Sequence, residues 1–373
     1  MKIAVVAHIR HAIAQPYRGG MEAHCDTLCK GLRDAGHEVT LFAAKGSSDA
    51  GMVAICDKPY DEVLPWAVYR GSRELASYQR DAFARVLLTI GAGDFDVVHN
   101  NSLFPEIIRW CAQAGQPCVT SQHVPPFGAM YDAVDAICHL PHARFTVTSA
   151  SQRDIWAARG CDRLDVVHNG IDTDFWQPSE TVGDYLTWVG RITPNKGLAE
   201  AVRAARIARI PLRIFGPVED AAYFANQVEP YLSDGCEYRG HRSLETLRGE
   251  VAGALGAVVT PMWDEPFGLV AAEALACGTP VAAFANGAIR EVVGDCGLLV
   301  RPGDIGALAE AMTRLPTVDR AACRRRACEH LSIEAMIAGY EAVYERAIAG
   351  SFMAALPRLS WSSSHSSTEA LLA

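Results

Sequence analysis

The stretch WDEPFGLVAAEALACGTPVA, Trp263 to Ala282, holds two glutamates eight positions apart, Glu265 and Glu273. Every other residue from Leu269 to Ala276 is apolar, and Gly278 and Pro280 follow as helix-stop signals. A helix apolar all round belongs in a core. An ionised carboxylate rarely sits there without a partner. Glu273 therefore either pairs with an arginine or faces something the protein binds. Glu265 stands just outside the helix, where a second carboxylate raises the same question.

Working outward, Ala257–Thr260 before this helix and Val281–Phe284 after it read as strands. The same alternation runs upstream through a strand at Tyr185–Gly190, a helix at Leu198–Arg209 and a strand at Leu212–Gly216. A second series starts at the N-terminus. Ile3–Ala7 is a strand, and Met21, Cys25, Leu28, Cys29 and Leu32 share one helical face within 21–35. Glu38–Ala44 completes the first βαβ unit. Further strands are expected at Val97–His99, Cys118–Ser121, Phe145–Thr148 and Val166–His168, and a late helix at 332–348. Two runs of βα alternation predict an α/β protein of two Rossmann-like, doubly wound domains with parallel sheets. The Pro-containing stretch Asp172–Gly183 is the expected hinge.

Composition agrees with this. A chain of 373 residues is long enough for about two domains, half of it apolar. The net charge of −9 argues against a nucleic-acid partner. MKIAVVAHIR lacks the long apolar core of a signal peptide, and no run reaches transmembrane length, so a cytoplasmic protein is expected. The twelve cysteines show no paired CxxC spacing. Cys25 and Cys29, four apart, could ligate a metal, but they also fit as small hydrophobes on a helix face. No metal site is assigned.

In such folds ligands bind beyond the carboxyl ends of the strands. Three loops there carry chemistry. In YRGGME, Gly19 and Gly20 precede a helix N-terminus, which favours anions. A plain tight turn is the alternative reading. In GRITPNKG, Arg191 and Lys196 could clamp a diphosphate, or form a solvated surface pair. In EPFGLV, Pro266 at the first helical turn would leave the amides of Phe267, Gly268 and Leu269 free for phosphate oxygens. Glu273 could then accept hydrogen bonds from a ribose diol.

The ordered combination of GG before the first helix, HNGIDTDFW, VGRITPNKG and EPFGLVAAEALACGTPVAA resembles the retaining GT-B glycosyltransferases of family 4. It runs from the first strand to about residue 345. The resemblance implies that Arg191, Lys196, Gly20 and the amides near Gly268 hold the donor diphosphate. Glu273 would bind the ribose, Glu265 the transferred sugar, and Arg242 would border the nucleobase. His123, in SQHVPPF, matches the histidine beside the donor sugar. Catalytic roles fall to His123 and Glu265. Donor binding falls to Gly19, Gly20, Arg191, Lys196, Arg242, Phe267, Gly268, Leu269 and Glu273.

The activity implied is a hexosyl transfer with retention of configuration from a nucleotide-diphosphate sugar, needing no metal and no other cofactor. Family frequency favours a UDP-sugar. The acceptor would be a saccharide, a lipid-linked saccharide or a small molecule. A sugar-nucleotide epimerase or hydrolase of the same fold, or a non-catalytic nucleotide-sugar binding protein, are the alternatives. A dehydrogenase would need the dinucleotide fingerprint that the first loop lacks. The expected domains are 1–175 on the acceptor side and 176–334 on the donor side, with 335–350 returning to the first. Residues 351–373 form a Ser-rich tail expected to be disordered. A helix over Tyr69–Ile90, with Arg70, Arg73, Arg80 and Arg85, could give weak peripheral contact with the inner membrane face or form a solvated face.

Overall fold

Ile3, Ala4, Val5 and Val6 form a strand fully removed from solvent, as a short unbroken apolar run in a parallel sheet should be. The computed structural model describes residues 1–158, 160–161, 163–232 and 235–355. Most of the Ser-rich tail expectation, from residue 356 on, lies outside them. The first sheet comprises β1 (Lys2–Val6), β2 (Glu38–Ala44), β3 (Met52–Cys56), β4 (Val97–Asn100), β5 (Cys118–Gln122), β6 (Ala143–Val147) and β7 (Leu164–Val166). Their spatial order is β3-β2-β1-β4-β5-β6-β7. The second comprises β8 (Leu186–Val189), β9 (Leu212–Phe215), β10 (Cys236–Tyr238), β11 (Gly256–Val259), β12 (Val281–Phe284) and β13 (Gly297–Val300), ordered β10-β9-β8-β11-β12-β13. All pairings are parallel. The molecule is the two-domain, doubly wound α/β fold that the alternation predicts. Each sheet reverses its order beside its first strand, which opens a crevice there.

The expected helix face is buried: Cys25, Leu28, Cys29 and Leu32 of the Gly20–Asp34 helix lie in the first core. Both cysteines are free and act as small hydrophobes. Among the described residues no cluster of three or more histidine, cysteine or acidic side chains could hold a metal. No described helix is long and apolar enough to cross a membrane.

The helix expected at Tyr69–Ile90 runs instead over Arg73–Ala92, because the Ser72 hydroxyl accepts from the Leu75 amide and caps it there. Arg70 lies before it, with its guanidinium over the Trp66 ring. The chain crosses between domains near Val167–Ile171. Val167 belongs to the first core and Ile171 to the second. The stretch expected as a hinge is anchored to the second domain: Trp176 is buried in its core, and Arg324 donates to the carbonyls of Thr173 and Trp176. The long Ile333–Ala355 helix returns to the first domain, where Met336, Tyr340, Val343 and Tyr344 pack into its core.

Candidate functional site

The two crevices face one another across a cleft of about 380 Å³. On the first-domain side it is lined by Gly20 and Met21 after the β1 loop, His123 after β5, Thr148 after β6, and Asn169 in the crossover. On the other side stand Arg191 and Lys196 after β8, and Thr260, Trp263 and residues 265–270 after β11. Eight of the eleven expected site residues therefore share one cavity: Gly20, His123, Arg191, Lys196, Glu265, Phe267, Gly268 and Leu269.

Lys196 ends the short Pro194–Lys196 turn, whose position is fixed from below. The Thr260 hydroxyl lies 3.1 Å from the Lys196 carbonyl and 2.8 Å from that of Gly197, and it accepts from Trp188 Nε1 at 3.0 Å. The Lys196 ammonium donates to Glu265 Oε2 at 2.7 Å and lies over the Trp263 ring. Trp263 Nε1 donates to the same oxygen at 2.9 Å. Arg191 pairs with Glu219 at 2.9 Å on a more exposed rim. Each cation therefore carries a carboxylate partner that an anionic ligand would have to displace or share.

The helix carrying Glu273 spans Leu269–Ala276. Pro266 lies ahead of it rather than in its first turn, so the sequence expectation for this residue is corrected. The cap is Gly268, at φ 98°, where a side chain would be strained and would meet Ile289 at 2.7 Å. The amides of Leu269 and Val270 have no protein acceptor among the described residues, and both residues line the cleft. The Pro266 carbonyl accepts hydroxyl hydrogen bonds from Thr148 and Ser149 of the first domain, each at 2.8 Å. The loop is thus held from both sides. A Cβ on Gly20 would lie 3.3 Å from the Leu269 side chain, which explains a small residue there.

Glu273 sits one turn deeper, half-buried and outside the residues lining the cleft. No ion pair to it exists among the described residues. Burial pushes its carboxyl up to about 7. Among the described residues, no arginine partner makes it structural. Arg242 is exposed, in the turn before the Leu244–Ala252 helix, and does not line the cleft. Gly19 caps the first helix in an extended conformation open to any residue, so its φ does not call for glycine.

His123 lies against the His24 ring, with centroids 4.2 Å apart, and its Nε2 is 3.3 Å from Asn101 Oδ1. Burial pushes its imidazole down to about 4. Sequence reasoning missed several neighbours. Asn169 is 7% exposed, with an Oδ1 that has no partner among the described residues, and it lines the cleft. Its place in HNGID was visible as a pattern, but its burial was not. Thr148 could have been found from its position at the carboxyl end of β6. Nothing in the sequence marks Asn101 or His24.

Comparison with known proteins adds the following. Residues 18–175 match the family described as Glycosyltransferase Family 4, and residues 183–317 the family described as Glycosyl transferases group 1. An MMP alpha-(1->4)-mannosyltransferase of Mycolicibacterium hassiacum is 28% identical over 94% of this chain and 99% of its own. A D-inositol 3-phosphate glycosyltransferase of Mycobacterium sp. strain KMS is 34% identical over 88% of this chain and 85% of its own. Among solved structures, Anabaena HepE in complex with UDP superposes with a TM-score of 0.72 at 16% identity, covering 92% of this chain and all of that one. The same protein is also described with UDP-glucose.

Proposed function

Because the chain belongs to the group 1, family 4 glycosyltransferases and carries their GT-B fold, we propose that its cleft transfers a hexosyl group from a nucleoside diphosphate sugar to a hydroxyl acceptor with retention of configuration. The observation that carries this reading is the second-domain wall. Lys196, Arg191 and the unpaired amides of Leu269 and Val270 converge on one cavity, and Glu265 is hydrogen-bonded to Lys196 at its centre. Those groups are suited to the charge that grows on a departing diphosphate, and they favour it more as the bond breaks.

In this reading the bond between the anomeric carbon and the diphosphate oxygen breaks. The acceptor oxygen bonds to the same face of that carbon, and its proton passes to the departing phosphate. Lys196 moves from Glu265 toward the diphosphate. Glu265, released, accepts hydroxyls of the transferred sugar, and its negative charge favours the positive charge developing at the carbon. His123 contacts the sugar from the opposite wall. Glu273 receives the ribose diol, which gives a half-buried, unpaired carboxylate a partner. Fixed cations and helix amides do the work that a metal does elsewhere, so no metal is required. Uridine diphosphate is the favoured carrier, in keeping with the HepE complexes. The acceptor enters along the first domain.

Calorimetric titration with UDP and GDP in EDTA tests this directly, followed by a screen of nucleotide sugars for transfer or slow hydrolysis. UDP should bind in EDTA. Failure of every nucleoside diphosphate to bind, or binding that requires added Mg²⁺ or Mn²⁺, would overturn the proposal.

A further inference from the structure

Behind His123 lies a set of buried polar groups that the transfer scheme does not use. His99, Asn101, Ser121, Thr146, Tyr340 and Tyr344 are each no more than 3% exposed. They come from the ends of β4, β5 and β6 and from the returning Ile333–Ala355 helix. Their hydrogen bonds form one directed chain. The Tyr344 hydroxyl lies 2.5 Å from His99 Nδ1. Burial keeps that phenol neutral, and its hydroxyl has no other hydrogen-bond partner among the described residues, so its buried O–H finds an acceptor only by donating here. His99 Nδ1 is then the acceptor, and its proton resides on Nε2. That N–H faces Ser121 Oγ at 2.9 Å and Asn101 Oδ1 at 3.3 Å. Tyr340 and Thr146 hold Ser121 at 3.1 and 2.9 Å.

The same Asn101 oxygen lies 3.3 Å from His123 Nε2. An amide oxygen only accepts, so His123 also carries its proton on Nε2. Rotating the Asn101 amide by half a turn would set its NH₂ against the His99 N–H, donor against donor. Tyr344 therefore decides how Asn101 points, and Asn101 decides the tautomer of His123. The Asn101 Nδ2 group has no partner among the described residues in this orientation, a penalty that an asparagine serving packing alone would avoid.

We propose that Tyr344, His99 and Asn101 are positioning residues that hold His123 as its Nε2–H tautomer, leaving Nδ1 as an acceptor for a hydroxyl of the transferred sugar. This rests on the placement of the donor sugar beside His123. The long helix that returns from the second domain is then part of the site, because its hydroxyl sets the first link. The titratable and charged groups around His123 are His24 from the first helix, His99 from β4, Tyr340 and Tyr344 from the returning helix, and Lys196, Arg191 and Glu265 across the cleft. Among the described residues, none of those packed against it on its own side is a carboxylate.

The test uses the full chain labelled with ¹⁵N-histidine, with His123 assigned from the spectrum of His123→Gln. Wild-type His123 should show the Nε2–H tautomer. Asn101→Asp places a carboxylate against Nε2, so the His123 titration should rise by at least one pH unit, and the acid limb of turnover should rise with it. Tyr344→Phe keeps the packing and removes the donor. It should admit the other tautomer at His123 and lower kcat several-fold, with UDP affinity unchanged. A wild-type Nδ1–H tautomer, or an unaltered tautomer and kcat in Tyr344→Phe, would overturn the proposal. The tautomer is read without substrate, so a wrong donor assignment would leave this result intact, whereas failure here would leave nucleotide binding untouched.

Discussion

On the second-domain wall of the cleft Lys196 and Arg191 are ion-paired to Glu265 and Glu219, with their charges in partial reach of solvent. On the first-domain wall His24, His99 and His123 are held below their ordinary range by burial, and their partners are amides, hydroxyls and one another. One wall is built of exchangeable charge, the other of uncharged groups fixed in direction. On the proposed reading, the difference follows from what each wall would meet. A diphosphate brings charge that must be matched and later released, so its binding groups need partners they can give up. A sugar hydroxyl brings only direction, so the opposing group gains most from a locked rotamer and tautomer.

Glu265→Gln should have the largest effect, and it breaks the exchange on the charged wall. Turnover with the full donor is expected to fall about a hundredfold, the scale of losing one preorganised electrostatic contact. UDP affinity should hold or rise, because Lys196 loses the carboxylate it now binds. Calorimetry with UDP beside single-turnover kinetics measures both. A parallel loss of UDP affinity would mean that Glu265 serves only to position Lys196.

Lys196→Ala comes next. It removes a charge-assisted contact and leaves Glu265 unpaired against the phosphates, so UDP binding should weaken about ten- to a hundredfold. An unchanged dissociation constant in a variant of normal thermal stability would remove the cation from the site.

Glu273→Gln tests the deeper end of the same wall. At pH 8 UDP affinity should drop roughly tenfold, since a charge-assisted acceptor becomes a neutral one. On the proposed role the ionised form is the stronger acceptor for a ribose diol, and burial raises the free carboxyl to about 7, so the wild type should lose affinity below that pH while the variant's gap narrows. Folding carries the opposite sign. A carboxyl raised from 4.5 to about 7 binds protons more tightly folded than unfolded, so its contribution to stability falls as pH climbs through that window. The variant should therefore gain thermal stability relative to the wild type at pH 8 but not at pH 4. Melting curves at the two values check this.

Arg191→Ala should be the mildest. Its guanidinium is half exposed and already paired with Glu219, so about a threefold loss of UDP affinity is expected, the scale of an exposed ion pair. An effect as large as that of Lys196→Ala would show that the rim closes on the nucleotide.

Much of this was legible in the chain. Apolar runs of four or five residues alternating with amphipathic helices specify parallel strands, because strands buried on both faces have no room for a polar side. The short strands β3, β10 and β13 escaped notice because they are partly exposed and carry a weaker apolar pattern. The loops bearing Arg191, Lys196 and Glu265 could be named because charge, glycine and proline are local signals. That Lys196 and Glu265 touch was not visible, since 69 residues separate them.

The sequence by itself determined the two doubly wound domains, the ends of the strands where ligands gather, and the chemical types offered on the charged wall. Periodicity and loop chemistry are properties of short segments, and short segments are what a sequence displays. Only the tertiary structure decided that Pro266 precedes its helix and is held by Thr148 and Ser149. It alone shows Glu273 without an ion-pair partner among the described residues, Arg242 outside the cleft lining, and Tyr344 reaching His99 across 245 positions. Hydrogen bonds of that span depend on how two cores settle against each other and on one returning helix, and no local pattern encodes them.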